Sequence, residues 1–70
     1  MTFAQLVKEL RLERKLTQEE LAKISGVSLA QISHIETGRR KRVGLLTLAK
    51  LDKALRAKGQ LFEFFRNAPI

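Results

Sequence analysis

Seventy residues carrying fourteen Lys and Arg against seven Asp and Glu, a net charge of +7, allow one small domain with a strongly basic surface. Such a surface favours a polyanionic partner. With no cysteine, disulfides and thiolate metal sites are excluded, and no apolar run approaches the roughly 20 residues of a membrane span or resembles a signal peptide, so a soluble, cytoplasmic protein is expected.

The first helix is expected over residues 3–14. Thr2 can cap it with Gln5 three residues on, Met1 and Leu6 stand at the staple positions, and Phe3, Leu6, Val7 and Leu10 share one face. The same entrance chemistry returns before a second helix over 18–24, where Thr17 and Glu20 form a capping box and Leu16 and Leu21 its staple. Gly26 can take positive φ, closing this helix and letting the next leave at a steep angle. Ser28 with Gln31, and Val27 with Ile32, predict a third start, for a helix over 29–36 that stops at Gly38.

Arg39, Arg40, Lys41 and Arg42 follow at once. Adjacent cations in a connection repel one another and gain nothing evident from folding, so contact with phosphates is the better reading. A fourth helix starts near Gly44 or Leu45 and ends before Gly59, with Leu45, Leu48, Leu51 and Leu55 as its apolar stripe. The segment 60–65 is two-sided. Leu61, Phe64 and Phe65 fit a helical face, while Phe62 and Phe64 also fit strand alternation; a short helix is favoured. The class is therefore all-α, a five-helix domain over 1–66 with a frayed tail at 67–70.

The run T-Q-E-E-L-A, then G-V-S, then I-S and I-E-T-G at these spacings resembles the helix-turn-helix of the lambda Cro/C1-type (Xre) regulators, over about residues 5 to 65. Gln18, Leu21, Ala22, Gly26, Val27, Ile32, Ile35, Glu36 and Gly38 carry the resemblance. It implies a lambda-repressor-like fold and a transcriptional regulator, a repressor in the first instance, that is nucleoid-associated and sets residues 29–36 into the major groove of double-stranded DNA. Arg11 stands where the family often has an arginine that pairs with the glutamate ending the third helix, here Glu36, so both are expected to be structural.

The resemblance also assigns roles. Leu29, Ala30, Ser33 and His34 face base edges with Ser28 close by, while Thr17, Gln18, Gln31, Arg39, Arg40, Lys41 and Arg42 contact phosphates. Where several of those regulators open the recognition helix with glutamine, this chain has Leu29 and Ala30. Apolar side chains read no donors or acceptors but can pack on a thymine methyl group, which shifts direct readout onto His34 and Ser33 and onto DNA shape. Val43 and Gly44 replace the proline that relatives commonly carry before the fourth helix.

Family members usually bind pseudo-palindromes as homodimers, and L-F-E-F-F at 61–65 resembles the family's last helix; Leu61, Phe62 and Phe65 are expected at that interface, Phe62 being spare from the core. An antitoxin that binds operator DNA and also holds a toxin through its C-terminal segment stays open as the alternative. No metal, cofactor or enzymatic activity is expected. His34 has no second ligand, and Ser33 beside it has no orienting acid.

Overall fold

The computed structural model describes residues 2–39 and 43–67, the side chains of Phe65 and Asn67 excepted. Its helices are α1 (Phe3–Glu13), α2 (Gln18–Ser25), α3 (Leu29–Glu36), α4 (Leu45–Ala54) and α5 (Gln60–Asn67), with no strand among the described residues. The all-α expectation holds, and 60–65 is helical.

Local capping chemistry starts three of these helices. Thr2 and Thr17 each accept a hydrogen bond from the amide three residues on, and Gln5 and Glu20 reach back to the capping amides at 2.9 and 2.8 Å, so both boxes are complete. Ser28 differs. Its hydroxyl accepts from the Gln31 amide at 3.1 Å, but the Gln31 side chain makes no return bond, so the third box is half formed. Gly44 caps α4 with backbone alone. At the other ends, Gly26 adopts φ +76°, donating its amide to the Ala22 carbonyl at 2.9 Å and reversing the chain into α3. Ser25, buried at that turn, accepts from the Val27 amide at 3.1 Å and fixes its shape.

α1 and α4 end in one way. Lys15 donates to the Leu12 carbonyl and Leu16 to that of Arg11; Arg56 donates to the Lys53 carbonyl and Ala57 to that of Asp52. These are the paired bonds of a Schellman cap, and Lys15 at φ +56° and Arg56 at φ +50° occupy the left-handed position where glycine is the usual residue. Thus α4 closes at Ala54, well short of Gly59.

The core is built from Phe3, Val7 and Leu10 of α1, Leu21, Val27, Ile32 and Ile35 of the α2–α3 unit, Leu48, Leu51 and Leu55 of the α4 region, and Leu61 of α5. α3 packs on α1 and α2, α4 on α2, and α5 bridges α4 and α1. Leu45 corrects the expected stripe: it opens the first turn of α4 and is 73% exposed, while Leu48 and Leu51 further along the same helix are buried.

α5 is tied down from a distance. The Asp52 carboxylate accepts from the Gly59 amide at 2.9 Å and the Leu61 amide at 3.3 Å, satisfying donors that a helix start leaves open. Leu61 is fully buried within the protomer, which removes it from any interface between copies. Phe62 is also less spare than expected, since it is half-buried against the core, and Phe64 meets the Phe3 ring with centroids 5.6 Å apart. The side chain of Phe65, Met1 and the tail 68–70 lie outside the described residues.

Candidate nucleic-acid interface

α3 has one closed side and one open side. Ile32 and Ile35 are buried, whereas Ser28, Leu29, Ala30 and His34 are exposed and Ser33 and Gln31 lie half-buried at the margins. Eight residues at 1.5 Å each make α3 about 12 Å long, close to the width of a B-DNA major groove. Its exposed face combines the Leu29 and Ala30 side chains near its start with the His34 imidazole one turn later. Thr37 closes the helix, its hydroxyl donating to the Ser33 carbonyl at 2.9 Å with the His34 carbonyl 3.2 Å away. Nothing in the pattern of residues 17–38 singled Thr37 out; only its reach back over one turn reveals it.

The angle of α3 against the rest is held by a buried charge network. Arg11 donates from Nε and Nη2 to the Glu36 carboxylate at 2.8 and 3.0 Å, a two-pronged pair whose side chains are 11% and 3% exposed. Its Nη1 donates to the Leu16 carbonyl at 2.7 Å, while the Leu16 amide donates to the Arg11 carbonyl at 3.2 Å. Gln18 completes the group: its amide Nε2 donates to Glu36 Oε1 at 3.2 Å. One carboxylate at the end of α3 therefore ties α1 and the first residue of α2 to it. The Gln18 bond was not foreseen, since eighteen residues separate the two in sequence.

The flanks have unequal character. Thr17 is exposed and Gln18 half-buried at the start of α2, with Gln18 keeping one amide hydrogen and its carbonyl oxygen for an outside group. Glu19 and Glu20 occupy the same first turn, which suits the helix but lowers its pull on an anion. Beside α3, Gln31 lines a cavity of about 200 Å³ with Ile35, Val43, Gly44 and Thr47, at the N-terminus of α4. Arg39 is exposed directly after α3; Arg40, Lys41 and Arg42 lie outside the described residues.

Residues 7–62 match the helix-turn-helix family HTH_3, a span that covers α2, the Gly26 turn and α3 with their supporting helices. The chain belongs to this family. It is of the Cro/C1 (Xre) type that its T-Q-E-E-L-A, G-V-S and I-E-T-G segments resemble. The HTH-type transcriptional repressor RghR of Bacillus subtilis (strain 168) is 47% identical to this helix-turn-helix chain over 55 residues, 79% of the chain and 41% of the repressor. RghRB of the same organism, an uncharacterized HTH-type transcriptional regulator, is 46% identical over 54 residues, covering 77% of the chain and 39% of its own length. The chain thus spans about two fifths of the length of these curated relatives. No solved structure matches it significantly. Among the described residues, no helix is long and apolar enough to cross a membrane.

Proposed function

We propose that this helix-turn-helix chain binds double-stranded DNA sequence-specifically, as a homodimer on a palindromic operator, and represses transcription. The observation that carries the reading is the two-sidedness of α3: Ile32 and Ile35 are shut into the core while Leu29, Ala30 and His34 stand open along the opposite side of a helix fixed by Glu36. A face held this firmly but left uncovered suits a rigid partner surface. Net charge +7 and the run Arg39, Arg40, Lys41 and Arg42 supply the attraction to phosphates. The name of RghR, a transcriptional repressor, agrees with the outcome assigned.

In the proposed complex α3 enters the major groove. His34 offers one hydrogen-bond donor and one acceptor to a base edge, Ser33 and Ser28 offer hydroxyls, and Leu29 and Ala30 pack on thymine methyl groups. Thr17, Gln18, Gln31 and the basic run bond phosphates and set the register, carrying no sequence information themselves. A homodimer suits a palindromic site: each chain supplies one α3, and two copies would set one such helix into each of two major-groove faces about 34 Å apart. The second copy is placed on α5, through the uncovered part of Phe62 together with Phe65.

Selection of bound duplexes from a random pool tests the reading. An enriched near-palindromic consensus, bound less tightly as salt rises, is expected. Retention without any enriched sequence would reduce the protein to a general polyanion binder.

A further inference from the structure

At the opposite end of α2 from Gln18, the C-terminal ends of α1, α2 and α4 converge on an open cleft of about 700 Å³, within the range of ligand and peptide sites. Its charged lining is entirely cationic: Arg14, Lys50, Lys53 and Arg56. Its apolar lining includes Leu16 and Ile24, and Ile24, in the last turn of α2, is 60% exposed. Among the described residues no carboxylate pairs with Lys50, Lys53 or Arg56, and the acid between the two lysines, Asp52, is committed to the amides of Gly59 and Leu61. We propose that this cleft docks an acidic segment of a partner protein, one in which an apolar residue flanked by Asp or Glu covers Ile24 while the carboxylates meet the four cations.

Two simpler roles fall short. Cations at helix C-termini offset the partial negative charge there, about half a unit per helix, so three converging ends account for roughly one and a half of the four charges. Arg14 serves this purpose, its Nε donating to the Leu55 carbonyl at 2.9 Å. The remaining charge has no partner of its own. A second contact with DNA fits poorly, because a duplex backbone is convex and has nothing apolar to lay on Ile24 and Leu16. Charge complementarity and the uncovered Ile24 together favour an acidic, amphipathic protein segment.

The test uses the full chain and two fluorescein-labelled peptides of equal length and net charge, one of Glu and Asp around two Leu, the other with each Leu replaced by Gly. Fluorescence anisotropy should give saturable binding of the first and about tenfold weaker binding of the second. The double variant Lys50→Glu, Lys53→Glu and the single variant Ile24→Asp should each weaken the first peptide by about tenfold or more, with far-ultraviolet circular dichroism unchanged because all three side chains are exposed. Amide chemical-shift changes should centre on Ile24, Lys50 and Lys53. Equal binding of both peptides, indifference to the variants, or displacement of the peptide by a short unlabelled duplex in stoichiometric amount would overturn the proposal, the last by making the cleft a phosphate site.

Discussion

Replacing Glu36 by Ala strikes the network that orients α3. The substitution removes the acceptor for two charge-assisted hydrogen bonds from Arg11 and one hydrogen bond from Gln18, leaving a guanidinium that is 11% exposed without its counter-ion. Breaking a buried pair from one side costs about 3–5 kcal/mol; Arg11 retains the Leu16 carbonyl and a narrow path to water, which places the loss near the lower end, about 3 kcal/mol. At about 0.05–0.15 kcal/mol per residue, a chain of 70 has only about 3.5–10 kcal/mol in all. Glu36→Ala should therefore lower the thermal midpoint by about 12–24 °C, from about 4–8 °C per kcal/mol in a domain this small. Urea and thermal melts followed by circular dichroism measure both quantities. The double replacement Arg11→Met, Glu36→Leu should recover most of the loss, because no charge is then left buried. A loss below about 1 kcal/mol for Glu36→Ala would refute the reasoning, showing that the pair behaves as a solvated surface contact.

Lys15→Gly should stabilise the fold by about 0.5–1 kcal/mol, since relief of the left-handed strain at φ +56° exceeds the entropy glycine adds to the unfolded chain; an unchanged or lower midpoint would contradict this. Asp52→Ala should cost about 1–2 kcal/mol and raise amide exchange selectively at Gly59 and Leu61, the donors it satisfies. In DNA binding, Arg39→Ala should weaken all sequences alike and reduce the salt slope by about one, whereas His34→Ala should alter the preferred base at one position per half-site. Uniform loss from both would mean that His34 reads no base. Phe62→Asp should halve the mass measured by sedimentation, and a wild-type mass would remove α5 from the dimer interface.

What could be read along the chain is what short-range physics controls. Capping bonds join residues three apart, so Thr2, Thr17 and Ser28 announced their helices, and the apolar spacing of Val7, Leu10, Ile32, Ile35, Leu48 and Leu51 announced their buried sides. The outward face of α3 follows from the same arithmetic, because a helix that buries Ile32 and Ile35 must turn Leu29, Ala30 and His34 away. The Arg11–Glu36 pair came from the family resemblance rather than from any local rule.

Other features depended on which helix ends meet in space. Leu45 continues the α4 stripe by spacing yet is left exposed, and Leu61 sits in an aromatic-rich segment but is fully buried in α5, which packs on α4 and α1. The bonds from Arg14 to Leu55 and from Gln18 to Glu36 link residues far apart in the chain, as does the basic cleft, assembled from the ends of α1, α2 and α4. Periodicity specifies the side of a helix that is buried. It carries no information about which distant surface is brought against that side, and the charges of Arg14, Lys50, Lys53 and Arg56 become one site only after three helix ends have packed together.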